Sequence, residues 1–138
     1  MRYYLDTNML VFILSKEFGE INSKVLNTLK DYSTILYVSS VCVQELIQLY
    51  RVGKFRYKPY KSENDILNNI RSTGIEIVYF NETHLNTYAS LRIASGHKDM
   101  NDHAIIAQAI SDKIPLVSSD GKFKEYVTQG LNFIFNKR

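Results

Sequence analysis

Tyr3-Tyr4-Leu5-Asp6-Thr7-Asn8-Met9-Leu10 decides how this chain is to be read. An apolar run with strand propensity stops on a carboxylate, and a helix follows at once with Thr7 or Asn8 available to cap it. A strand that runs straight into a helix leaves its junction residue on the carboxyl edge of a sheet, where open α/β folds build their sites. Asp6 therefore has two readings. It caps the helix starting near Asn8, since Asp is among the best capping residues, or it belongs to a site. The rest of the chain must choose between them.

Working outward, the same arrangement repeats. Met9, Leu10, Phe12, Ile13 and Leu14 make a strongly apolar helix, followed by a polar break from Lys16 to Gly19. Ile21, Val25, Leu26 and Leu29 keep helical spacing. Ile35-Leu36-Tyr37-Val38 reads as a second strand, and Ser39-Ser40 caps a helix over Val41 to Tyr50. Glu45 lies about one and a half turns into that helix, at ~3.6 residues per turn, near the sheet edge that carries Asp6. Ile66, Leu67 and Ile70 mark a short helix ending near Gly74, and Ile75 to Tyr79 reads as a third strand. A helix over Leu85 to Ile93 is capped from Asn81 to Thr83 and ended by Ala94-Ser95-Gly96.

A small-residue helix then begins near Asn101, with Asp99 as its cap and Asp102 in its first turn, where the helix dipole favours negative charge. Pro115-Leu116-Val117-Ser118 is a fourth strand, and Asp120 repeats at its exit the position of Asp6. Phe123 to Val127 reads as helical, Gly130 closes that helix, and Asn132 to Phe135 is a final strand. Strands alternating with helices predict a single domain over 1–138, a three-layer α/β/α sandwich around a mostly parallel sheet.

The totals narrow the function classes. A chain of 138 residues suits one domain with a sizeable core, and its 45% hydrophobic and 22% charged content is that of an ordinary globular protein. A net charge of +3 permits a nucleic-acid partner without demanding one. Cys42 is the only cysteine, which excludes a disulfide framework, and its apolar context reads as a small buried hydrophobe. Asp6 interrupts the first apolar run before a signal core forms, and no stretch approaches the length of a membrane span. The expectation is a cytoplasmic protein with no membrane partner. No nucleophile elbow, phosphate loop or glycine-rich fingerprint occurs, which argues against a hydrolase triad, a P-loop NTPase and an NAD enzyme.

Asp6, Glu45, Asp102 and Asp120 come from four segments, yet strand order sends each to one edge of one sheet. Singly, each has an ordinary reading as a cap, a solvated helix acid or a helix-start acid. Together in a low-dielectric cleft they repel strongly, and a divalent cation is what makes such a cluster tolerable at neutral pH. Oxygen donors without Cys or His favour Mg²⁺ or Mn²⁺. Carboxylate-held Mg²⁺ serves phosphoryl transfer or phosphodiester hydrolysis, with one ion or two about 3.5–4 Å apart activating water. No covalent enzyme intermediate is expected.

Two further features stay open. His84, His97 and His103 are the only histidines; His97 and His103 flank the acidic stretch and read as surface residues near a helix start, with phosphate binding or help at the site as the other reading. From Arg51 to Lys61 the chain carries Arg51, Lys54, Arg56, Lys58 and Lys61 with no acid, interleaved with Phe55, Tyr57 and Tyr60. That pattern suits a phosphate backbone with stacked, unpaired bases. It equally suits a solvated loop whose aromatics pack onto the domain or onto a second protein.

Taken together, Leu5-Asp6-Thr7-Asn8, Gln44-Glu45-Leu46, His97-Lys98-Asp99 with Asp102 and Ile106-Ala107, and Ser118-Ser119-Asp120 with Phe123 resemble a PIN-domain ribonuclease. Within that family the chain is most similar to VapC-type toxins of bacterial toxin–antitoxin systems, over nearly its whole length. The resemblance implies a Mg²⁺- or Mn²⁺-dependent endoribonuclease acting on RNA, the toxin of a type II pair. It implies metal ligation and catalysis by Asp6, Glu45, Asp102 and Asp120, with Ser118 as a supporting hydroxyl and Asn8 and Asp99 as weaker candidates. It also implies a cognate antitoxin whose tail blocks the cleft, and a homodimer. Arg51, Lys54, Phe55, Arg56, Tyr57 and Lys58 lie where the family varies, near the substrate or antitoxin side. Met100, Asn101 and His103 depart from the Pro, aromatic and Arg of many relatives. Two other readings remain: a stand-alone RNA-processing nuclease, and a non-catalytic PIN-like module that binds RNA or protein.

Overall fold

A computed structural model describes residues 1–138. Five strands, β1 (Arg2–Leu5), β2 (Ile35–Ser39), β3 (Glu76–Val78), β4 (Leu116–Ser118) and β5 (Phe133–Phe135), form one sheet in the order β3-β2-β1-β4-β5. Every pairing is parallel, so the sheet is wholly rather than mostly parallel. Leu5 is in register with Val38 on one side and Val117 on the other.

The helices are α1 (Thr7–Leu14), α2 (Ser23–Lys30), α3 (Ser40–Arg51), α4 (Glu63–Ser72), α5 (Glu82–Ser90) and α6 (Met100–Asp112). Two 3₁₀ segments, Phe18–Glu20 and Gly121–Gln129, complete the set. The helical stretch expected after Asp120 thus exists but winds as 3₁₀, and the break after Lys16 holds a short 3₁₀ turn of its own.

Both faces of β1 are buried, as a middle strand of a parallel sheet requires. Tyr3 shares a groove with Val25 and Leu29 of α2, whereas Tyr4 hydrogen-bonds to Asp112 and Gln108 of α6. These are the three layers. On the α6 side a buried polar network is closed by its own members. Ser39 Oγ donates to Gln108 Oε1 at 2.6 Å, Gln108 Nε2 donates to the Tyr4 hydroxyl at 3.2 Å, and His84 Nε2 meets Asp112 Oδ1 at 2.9 Å. Unpaired, such groups would each cost roughly 1–3 kcal/mol. Cys42 is fully buried with its thiol against the Leu5 carbonyl, and burial pushes that thiol far above its ordinary range.

Helix α5 stops at Ser90, short of the expected Ile93, and Leu91 is already extended. A distant side chain explains this. Gln129 Nε2 donates to the Arg92 carbonyl at 2.8 Å while Gln129 Oε1 accepts the Arg92 amide at 3.0 Å. This reciprocal clamp uses the backbone groups that a longer helix would need.

The sheet order places the topological switch point between β1 and β4, where chain direction across the sheet reverses. The crevice outside the carboxyl ends of those two strands is the position at which this architecture builds sites.

Candidate functional site

Asp6 leaves β1 at that crevice and Ser118 ends β4 beside it. The Asp6 amide extends the ladder by donating to the Val117 carbonyl at 3.1 Å. Its carboxylate then does two things at once. Oδ1 accepts the Met9 amide at 2.9 Å and so caps α1, while Oδ2 accepts the Ser118 hydroxyl. Asp6, not Thr7 or Asn8, is therefore the cap, and capping does not exclude a place in the cleft. The Ser118 hydroxyl in turn accepts the Asp120 amide at 3.0 Å, which ties the two strand exits together.

Two more acids repeat the pattern. Asp99 Oδ1 accepts the amides of Asn101 and Asp102 and caps α6, and Asp120 Oδ1 accepts the Lys122 amide and caps the Gly121–Gln129 segment. Three helical N-termini thus converge here, and their partial positive charge favours anions. Glu45 arrives from α3 and is held by two groups, the Thr7 hydroxyl on Oε1 and Asn101 Nδ2 on Oε2 at 3.4 Å.

Asp6, Thr7, Asn8, Glu45, Asp99, Asp102 and Asp120, with Leu49 as the single apolar member, line one pocket of about 190 Å³. No basic side chain lines it. The electrostatic consequence is visible in two carboxyls. Burial drives Asp6 up to about 7, against the lowering effect of the Ser118 and Met9 donors and with a further push from Asp102 and Asp120. Burial also raises Asp102 to about 6, opposed by His97 and assisted by Asp99 and Asp120. Acids held this far above their ordinary range mark a cluster short of positive charge. An all-carboxylate donor set in a pocket of this size fits a hard divalent cation such as Mg²⁺ or Mn²⁺.

The histidines correct the sequence expectation. His97 and His103 are not surface residues but 4% and 6% exposed, and His84 is 1% exposed within the capping box of α5. His97 Nε2 lies 3.1 Å from Asp102 Oδ2, and potential donor atoms of His97, Asp102 and Asp120 fall within 4.8 Å of one another. Residues 51–61 are corrected in part. Phe55 and Tyr60 are turned into the core and Tyr57 packs edge-on against Tyr60 at 5.0 Å, so Phe55 offers no face for a base. Arg51, Lys54, Arg56 and Lys58 remain exposed at the far end of the helix that carries Glu45. A larger groove of about 560 Å³ opens on the other side of Glu45, lined by Gln44, Gln48 and Arg51 of α3, by Leu67 and by Tyr79.

Residues 3–128 match the PIN domain family. The chain belongs to that family. Among solved structures, this PIN domain is similar to VapBC2 from Rickettsia felis, solved with a DNA fragment from its promoter. The identity is 23%, the TM-score 0.67, and the match covers 99% of this chain and 100% of that one. It is similar to DNA-bound VapBC from Salmonella typhimurium at 17% identity and TM-score 0.68, with 98% of each chain covered. FitAcB from Neisseria gonorrhoeae matches at 23% identity and TM-score 0.56, over 97% of this PIN domain and 96% of that chain. At these identities the likeness is one of fold. No curated protein sequence matches the chain.

Thr7 and Asn101 hold Glu45, and Tyr126 meets His97, without roles legible in the sequence, whereas His97 had help at the site as its second reading. Thr7 reads as a cap and as part of the Leu5-Asp6-Thr7-Asn8 stretch, with no sign of its bond to Glu45, and nothing in the spacing of Asn101 signals a bond to a helix beginning at Ser40. His97 carried the one usable signal, its place five residues before Asp102 in an otherwise polar stretch.

Proposed function

We propose that this PIN domain is a Mg²⁺- or Mn²⁺-dependent endoribonuclease, the toxin of a type II toxin–antitoxin pair. One observation carries the reading: carboxylates from four separate segments meet in a pocket with no basic side chain, at the switch point of a parallel sheet. Asp6, Glu45, Asp102 and Asp120 are the ligands in this reading, with Asp99 at the rim. The bound cation supplies Lewis-acid charge to the phosphodiester and lowers the pKa of its water. The chain's own groups set the geometry. Ser118 turns Asp6, Thr7 and Asn101 turn Glu45, and the exposed Arg51, Lys54, Arg56 and Lys58 offer charge to the RNA backbone leading away from the cut. In this reading hydrolysis is direct: water bonds to phosphorus as the bond to the leaving oxygen breaks, and the leaving oxygen takes up a proton.

The similarity to VapBC and FitAB structures supports a cognate antitoxin as partner, and a homodimer is what the VapC-type resemblance implies. The test is cleavage of end-labelled RNA by purified protein in Mn²⁺, Mg²⁺ or EDTA, beside Asp6→Asn and Asp102→Asn. Metal-dependent cleavage that both variants lose supports the nuclease. Equal cleavage by wild type and variants, or none with any metal, removes it. Growth arrest on induction that Asp102→Asn abolishes tests the toxin role.

A further inference from the structure

We infer that His97 is a positioning residue for the acidic cleft: its Nε2–H ties one oxygen of Asp102 and leaves the other to the cleft. The consequence for the cation rests on the nuclease reading; the geometry does not. His97 Nδ1 lies 2.7 Å from the hydroxyl of Tyr126, a fully buried residue, and that hydroxyl already accepts the Ala94 amide at 3.0 Å. The phenolic proton therefore goes to Nδ1, the acceptor within reach, and the ring's own proton sits on Nε2. Nε2 faces Asp102 Oδ2 at 3.1 Å, so a donor meets a carboxylate. The opposite tautomer would set a nitrogen lone pair against that carboxylate and strand a buried phenolic proton. Both are costly.

The ring cannot swing away. His103 Nε2 donates to the His97 carbonyl at 2.8 Å and its ring stands edge-on at 4.7 Å, while Phe123 closes a third side at 6.1 Å. Asp102 is left with Oδ1 free of side-chain partners, on the residue whose amide is fixed by Asp99. Tyr126, His97 and Asp102 form a relay of orientation from the 3₁₀ segment into the cleft. His97 thus acts through Asp102 and is not itself a ligand, although its Nε2 lies close enough to have been one.

Two substitutions and one spectrum test this. The amide nitrogen of His97→Gln reaches the place of Nε2, whereas that of His97→Asn reaches only the place of Nδ1. Mn²⁺ affinity, read by water-proton relaxation without RNA, is expected to fall ten- to a hundredfold in His97→Asn, the range for lost outer-shell partners of metal ligands. In His97→Gln it stays within about threefold of wild type. The imidazole ¹⁵N–¹H correlation spectrum of metal-free wild type is expected to show a proton on Nε2 of His97; this readout needs neither metal nor a folded variant. A His97 without a proton on Nε2, or equal Mn²⁺ loss in both variants, overturns the inference while leaving the nuclease intact. An Nε2-protonated His97 in a protein that neither binds Mn²⁺ nor cleaves RNA upholds the geometry and removes the nuclease reading instead.

Discussion

Replacing Asp6 by Asn in the metal-free protein exposes what it costs to keep an ionised carboxylate at the head of α1. Asp6 stands at about 7 against an ordinary 3.8, chiefly because it is buried. At ~1.4 kcal/mol per tenfold change in proton affinity, ionising it in the fold costs roughly 4 kcal/mol. The sign follows from linkage. The folded state holds the proton more tightly than the unfolded state, so this contribution is full below pH 3.8 and is lost as pH rises to about 7. About two of those decades lie between pH 5 and 7. Wild type should therefore lose about 3 kcal/mol relative to Asp6→Asn between pH 5 and pH 8, whatever the fixed packing cost of the amide. For a chain this size that is roughly 10 °C in the difference between their melting temperatures, at ~3–5 °C per kcal/mol. Thermal melts of both proteins in EDTA at several pH values provide the measurement. A difference that does not change with pH would refute the account of Asp6 as a buried acid ionised at a cost.

Added Mn²⁺ should raise the wild-type melting temperature with the logarithm of its concentration, and Asp102→Asn should abolish that response. The response should weaken from pH 8 to pH 5.5, because protons compete for Asp6 and Asp102, both raised into this range. Ser118→Ala removes the hydroxyl that lowers Asp6 and leaves the Asp120 amide unpaired, so denaturant melts should show a loss of about 1.5–3 kcal/mol. Phe55→Ala should cost about 3–5 kcal/mol of stability, as a core truncation. Exposed Lys54, Arg56 and Lys58 changed together to Ala should leave stability nearly unmoved and instead flatten the salt dependence of RNA binding.

Much of the fold could be read because the strands are short apolar runs, and each of the first four is followed by a helical segment with its own cap. The four principal acids were legible for the same reason: each sits at a strand exit or just inside a helix. What escaped was set by partners far away in sequence. Helix α5 ends where Gln129 takes the Arg92 backbone, and no local pattern announces that. His97 and His103 lie in a polar, charged stretch, so the packing of His97 against Phe123 and Tyr126, and of His103 against His97, leaves no periodic trace. Phe55 hides among lysines and arginines, yet it packs edge-on against Tyr60, which in turn meets Tyr50. Capping does not exhaust Asp6, since a carboxylate has two oxygens: one caps α1 and the other takes the Ser118 hydroxyl at the cleft.

The central place of β1 also orders events on the ribosome. Its neighbours are β2 and β4, and β4 follows almost the whole of the chain. Synthesis runs at roughly 5–20 residues per second, so the first strand emerges seconds before the strand that completes its surroundings. Asp6 then waits without Ser118, Asp102 or Asp120. A nascent chain therefore carries no assembled cleft, and whatever chemistry the cleft performs is withheld until β4 and Asp120 have been made.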